Sequence, residues 1–214
     1  MRKKSFKSAL TVLLSLMMIL VMFPANAFAM DGEGTTADPY IIATADDLYE
    51  FAIKVNEGDN TACAVLTADI TLLIDTNWTP IGNDSNQYKG TFDGDGHTIT
   101  GLSVDIQSDN DIYAGLFGCL GAGGTIKNLS LADSKITCSG NRVYAGGVCG
   151  WNTGTIENCY NTGDVSGTSE YGFAYAGGVC GLNDYGTIRK LLQHRRCQWH
   201  KRIRFCLCRR CVRL

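Results

Sequence analysis

Asp93, Asp95 and His97 alternate with Gly94 and Gly96, so two carboxylates and an imidazole fall within five residues. Such a cluster can hold calcium or serve as an acid/base pair. The same residue types also make a tight turn between strands, where Asp and Gly suit the backbone geometry. No glutamate follows at the spacing of a calcium loop, and the turn is the reading adopted. Asp75, Asp84, Asp109 and Asp111 could line an acidic cleft for a polysaccharide, but they read first as solvated loop residues. No nucleophile stands with a base and an orienting group. His97 is the one histidine before residue 190, which leaves little from which to build a zinc site or a Ser-His-Asp triad. The expectation is no catalytic residue, no metal and no cofactor.

The elements that would position these residues are repeats. Tyr144–Gly150 and Tyr175–Gly181 both read Tyr-Ala-Gly-Gly-Val-Cys-Gly, and Tyr113–Gly118 is a looser copy, with the tyrosines 31 residues apart each time. A period of that size marks a solenoid or similar array. A second motif follows each copy: Gly124-Thr-Ile-Lys-Asn128, Gly154-Thr-Ile-Glu-Asn158 and Gly186-Thr-Ile-Arg189. A coil of two or three short strands cannot bury its own apolar face, whereas stacked coils bury a continuous core. The fold expected is therefore all-β: a parallel β-solenoid, right-handed because strand twist favours that crossover. Each repeat is expected to hold one short strand at Gly115–Gly118, Gly147–Gly150 or Gly178–Gly181, and a second from Thr125, Thr155 or Thr187. Ile126, Ile156 and Ile188 should form an aliphatic ladder inside. Asn128 and Asn158 should form an amide ladder at a turn.

Upstream of the repeats, Pro39–Ile42 reads as a first strand. Thr44 then caps a helix over about 44–57, with Leu48, Phe51, Ala52 and Val55 on one face and Gly58 ending it. A short amphipathic helix before a run of strands suits an N-terminal cap that covers the exposed end of a solenoid. Ala64–Ile74 is β-rich, and Leu102, Val104 and Ile106 alternate as one inward face.

The net charge of −2 averages three unlike pieces. All 21 acidic residues lie in 30–189 with six of the 19 basic ones, so this body is near −15. Such acidity disfavours nucleic acid and anionic membranes as partners. Residues 1–29 carry Arg2, Lys3, Lys4 and Lys7, an apolar run from Ala9 to Phe23, and the small-residue sites Ala25-Asn-Ala27 and Ala27-Phe-Ala29. That is the pattern of a secretory signal cleaved after Ala29, leaving the mature chain with no membrane segment. In an exported protein, cysteines default to disulfides. Cys149 and Cys180 fall at equivalent places on neighbouring coils, where parallel side-chain vectors suit a disulfide poorly, and a buried thiol ladder is expected instead.

Residues 190–214 break the pattern with nine Lys or Arg and no acid. Lys190-Leu-Leu-Gln-His194 can be encoded so that the same bases, read one position over, spell Asn-Cys-Tyr-Asn-Thr. The rule holds through Leu214 and reproduces Asn158–Gly181. The tail therefore reads as a frameshifted, non-native segment, and one added A in an adenine run at codons 189–190 suffices. Cys206, Cys208, Cys211, His194 and His200 resemble a zinc knuckle, and the arginines a nucleic-acid patch, but both arise from reading glycine codons out of phase.

Ala114-Gly-Leu-Phe-Gly118 with Gly124-Thr-Ile-Lys-Asn128, and Gly147-Val-Cys-Gly150 with Gly154-Thr-Ile-Glu-Asn-Cys-Tyr160, resemble the GLUG-motif repeats of bacterial surface proteins. Gly90–Ile99 and the Asp38–Leu48 lead-in look similar too, so the likeness covers roughly 34–189. The resemblance implies a pectate-lyase-like β-helix within a large exported or cell-wall protein, a setting shared by adhesins and some surface peptidases. It assigns no catalytic residues to the repeats. This chain departs from the family in ending early, so a fragment of a longer protein is expected. The function expected is a non-catalytic adhesion or stalk module, secreted or at the cell surface, whose ligand is a carbohydrate or a host protein. The alternative is a carbohydrate-active β-helix enzyme, a polysaccharide lyase or glycoside hydrolase, which the fold would permit but does not by itself imply.

Overall fold

The structure, a computed structural model, describes residues 30–73, 76–169, 172–190 and 192–193. The expected signal segment 1–29, Asp75 and all of 194–214 lie outside the described residues.

The chain starts with β1 (Tyr40–Ile42) and α1 (Ala45–Asn56), then β2 (Ala64–Leu66) and β3 (Ile70–Thr71). The next coil holds β4 (Thr91–Asp93), β5 (Thr98–Thr100), β6 (Ser103–Ser108), β7 (Ile112–Ala114) and β8 (Phe117–Leu120). Its successor repeats the five as β9 (Thr125–Lys127), β10 (Ser130–Ala132), β11 (Lys135–Gly140), β12 (Val143–Gly146) and β13 (Cys149–Asn152). A further set follows: β14 (Thr155–Glu157), β15 (Tyr160–Asn161), β16 (Asp164–Ser169), β17 (Ala174–Gly177) and β18 (Cys180–Asn183). β19 (Thr187–Arg189) and β20 (Leu192–Gln193) begin another coil. Equivalent strands pair in parallel: β1-β2-β4-β9-β14-β19, β3-β5-β10-β15-β20, β6-β11-β16, β7-β12-β17 and β8-β13-β18. This is a parallel β-solenoid, in which each strand finds its backbone partners in the coils before and after it.

Two details differ from the expectation. A full coil holds five short strands rather than two or three. The bend between two strands is Gly147-Val148 or Gly178-Val179, and the first glycine of each Gly-Gly pair ends the strand before it. Glycine is needed because backbone comes close on two sides: a Cβ on Gly147 would strike the Gly178 carbonyl oxygen of the next coil, and one on Gly146 the Cys149 carbonyl oxygen of its own coil.

The helix starts where Thr44 and Asp47 cap each other. The Asp47 N–H donates to Thr44 Oγ1 at 3.2 Å, and the Thr44 N–H donates to Asp47 Oδ2 at 2.8 Å. The helix ends at Asn56, and Gly58 just beyond the cap residue Glu57 takes φ +123°. Leu48, Phe51, Ala52 and Val55 are buried. The Phe51 ring lies 5.9 Å from Tyr88 and 5.7 Å from Phe92, and Phe117 lies 5.2 Å from Phe92. The helix thus plugs the N-terminal end of the core with aromatic contacts, while Ile, Val, Leu and Cys fill the coils beyond.

Candidate binding surface

The Asp93–His97 segment is the turn between β4 and β5. Asp95 and Gly96 take φ +47° and +83°, a left-handed pair that Asp and Gly tolerate. Asp93 is spoken for: its Oδ2 lies 2.9 Å from Lys127 Nζ, and its Oδ1 accepts from Asn128 Nδ2 and from the Asp95 N–H, both at 3.0 Å. Partial burial raises its pKa, but these donors outweigh it and hold the carboxyl below the usual range. His97 turns to Asp69, with Nδ1 at 3.3 Å from Oδ1. Asp69 also accepts from the Thr98 N–H at 2.8 Å, and this bond, then His97, lowers its pKa. So the carboxylates hold neighbouring coils in register. Asp84 and Asp109 are exposed, and Asp111 pairs with Arg142 across one coil. Among the described residues, no three His, Cys, Asp or Glu side chains are grouped to hold a metal ion.

The repeat positions form columns. Ile126, Ile156 and Ile188 are Cα partners on β9, β14 and β19, with exposures of 0%, 0% and 8%. Cys149 pairs with Cys180, and their thiols donate to the Trp151 and Leu182 carbonyls two residues on. Burial pushes the Cys149 thiol far above its ordinary pKa, which makes it a packing group rather than a nucleophile. Asn158 Nδ2 donates to Asn128 Oδ1 at 3.0 Å, and Asn128 passes the chain to Asp93. Both asparagines take left-handed φ, +53° and +52°, a conformation Asn tolerates better than most residues.

A column not anticipated runs through Tyr113, Tyr144 and Tyr175. Their rings stack at 5.1 and 5.5 Å with interplanar angles of 7° and 3°. Between coils the ring faces are spent on one another, so the column ties neighbouring coils together along the wall. A second unanticipated column sits inside: buried Asn152 donates from Nδ2 to Asn183 Oδ1 and accepts from the Gly154 N–H. Both columns sit on the same 31-residue spacing as the motif, and that spacing was the signal for them. Buried Asn161 has no such signal. It accepts from Ser134 Oγ at 2.7 Å and donates to the Gly178 carbonyl at 2.7 Å.

Ser134, held from beneath by Asn161, lines a pocket of about 600 Å³. Its walls come from two adjacent coils and include Asp133, Lys135 and Thr137 from one and Tyr160, Asp164 and Ser166 from the next. Lys135 is the register partner of Asp164, and Thr137 of Ser166, so the pocket spans two neighbouring strands. Its wall chemistry is hydroxyls, two carboxylates, one ammonium and one phenol ring.

Residues 141–166, which include β12 to β15, match the GLUG motif. The chain is 37% identical over 130 residues to a candidate Gly-rich membrane protein of Evansella cellulosilytica, a match covering 59% of this chain and 15% of that one. It is 34% identical over 152 residues to halomucin of Haloquadratum walsbyi, covering 66% of this chain and 2% of halomucin. The chain therefore spans only a small part of either relative. The crystal structure of a candidate immunoglobulin A1 protease from Bacteroides ovatus shares 19% identity at a TM-score of 0.46, over 76% of this chain and 69% of that one. Among the described residues no helix is long and apolar enough to cross a membrane. The GLUG match thus falls on one unit, residues 141–166, of the repeat that builds these columns.

Proposed function

We propose that the chain is a non-catalytic repeat module of a larger exported surface protein, and that it holds a glycan in the pocket shared by two adjacent coils. The observation that carries this reading is the make-up of the pocket wall: register partners on adjacent coils, Lys135 with Asp164 and Thr137 with Ser166, set an ammonium, a carboxylate and hydroxyls side by side. A polar polymer crossing both coils meets donors and acceptors from each. Hydroxyls, carboxylates and a ring edge suit the hydroxyls of a neutral sugar chain. The acidity of 30–189 disfavours anionic glycans. The two relatives, named as a membrane protein and a mucin, are far longer than this chain, which supports a module within a cell-surface protein. The carboxylates nearest to an acid/base pair, Asp93 and Asp69, are engaged in holding coils together. That favours binding over turnover.

A glycan array probed with the purified chain tests the proposal, with Tyr160→Ala and Asp164→Ala as variants. Binding to neutral glycans that drops about tenfold in either variant supports it, since each removes on the order of 1.4 kcal/mol. Sugar release from a polysaccharide panel, abolished by Asp164→Ala, would replace it with the enzyme reading. Binding of host protein with no glycan bound would move the adhesive role to another ligand.

A further inference from the structure

Among the described residues each of β16, β17, β18, β19 and β20 is the last strand of its sheet, so the described coils end on one face with no strand layer beyond it. Burial thins toward it. Ile188 is 8% exposed where Ile126 and Ile156 are closed. Val179 is 4% exposed where Val148 is closed. Cys180 is half-buried where Cys149 is buried. An open face of parallel strands with apolar columns running into it is a template for another strand layer.

We infer that this face is a docking surface for one more coil of the same repeat, and that the coil is the one encoded a single base out of phase in codons 190–214. Three observations at the seam support that occupant over the tail as read. Lys190 takes φ +51°, the column value of Asn128 and Asn158, where asparagine is tolerated and lysine is strained. The shifted frame places asparagine there. β20 pairs Leu192 with Tyr160 and Gln193 with Asn161. The shifted frame places tyrosine and asparagine at those two positions, the types of their partners. The amide chain from Asp93 through Asn128 to Asn158 stops at Lys190, whose ammonium instead lies 3.9 Å from Glu157 Oε1. The structural register and the out-of-phase reading thus agree at each of these positions, although backbone pairing knows nothing of codons.

The shifted coil would extend the phenol column beyond Tyr175 and the thiol column beyond Cys180. It carries no arginine cluster, so it suits an apolar and hydroxyl-lined face better than the nine cations of the tail.

Two measurements test this. The first is peptide mass spectrometry of the protein from its native cells. Peptides following Arg189 that begin Asn-Cys-Tyr-Asn are expected. Peptides containing the tail as read, from Leu191 onward, would overturn the proposal. The second compares the full chain as read with a full chain whose codons 190–214 are shifted by one base. Hydrogen exchange at the Ile188 and Val179 amides is expected to slow by about tenfold or more in the shifted chain, with both chains monomeric. Equal exchange in the two would overturn it. So would a concentration-dependent dimer of the chain as read that protects the same amides, since a second copy would then be the occupant. The triple variant Lys190→Asn, Leu192→Tyr, Gln193→Asn isolates the seam: it should slow Ile188 exchange even with the remaining tail unchanged.

Discussion

Asn158 shows how one side chain can serve both backbone and neighbour. Its left-handed φ suits few residues, and its amide links two coils. Asn158→Gly keeps the backbone and loses the link, so urea unfolding should show a loss of about 1 kcal/mol. Asn158→Val loses both, at about 2–3 kcal/mol. Equal losses would mean that the conformation contributes nothing. Burial also gives the thiols a pH signature. It is the first cause that pushes Cys138 and Cys159 up from 9.0 to about 12. Below pH 9 both states keep the proton. Above it the unfolded chain releases the proton and the folded chain does not, so stability falls as pH rises toward 12. At pH 10.5 the loss should be about 1–2 kcal/mol per thiol relative to pH 7. A chain with Cys138→Ala and Cys159→Ala should unfold with a flatter alkaline limb. At this scale the sequence was legible wherever a residue type recurs at the motif spacing, as Ile126, Ile156 and Ile188 do. Asn161 was not legible, because its partners Ser134 and Gly178 lie at unrelated positions.

Among the elements, the helix and the apolar strands were readable because capping chemistry and the 3.6 and 2 periods are local signals. β11 and β16 were not, although at six residues they are as long as any described strand. Lys-Ile-Thr-Cys-Ser-Gly and Asp-Val-Ser-Gly-Thr-Ser bury two residues each and carry little apolar weight. They become strands because β11 pairs with β6 and with β16, a fact no window of one coil contains. The bend at Gly147, where the sequence suggests a strand, is hidden for a related reason: that glycine answers to the Gly178 carbonyl of the neighbouring coil. Column packing sets the cost of core change. Ile156→Ala, with an isoleucine on either side, should cost about 2–5 kcal/mol in chemical denaturation. Ile188→Ala at the open end should cost less, because part of that side chain already meets water.

The whole molecule behaves as a stack, in which each coil is stabilised by the two it touches. Its ends are unlike. At one end α1 seats Phe51 against Tyr88 and Phe92, and at the other β16 to β20 are, among the described residues, the last strands of their sheets. Opening should therefore start at the C-terminal coil, and amide exchange should be slowest in β9 to β13, which have a full coil on each side. Exchange faster in β17 and β18 than in β12 and β13 is the expected pattern at neutral pH. Removing the plug should change the direction of opening. Phe51→Ala deletes a ring that bridges helix and first coils, at a cost of about 3–5 kcal/mol if the site does not collapse. In that variant the amides of β2 and β4 should lose protection first, while β17 and β18 keep their former rates. Uniform acceleration across all coils would instead mean that the stack opens as one cooperative unit. The nearest-neighbour description would then fail for this chain.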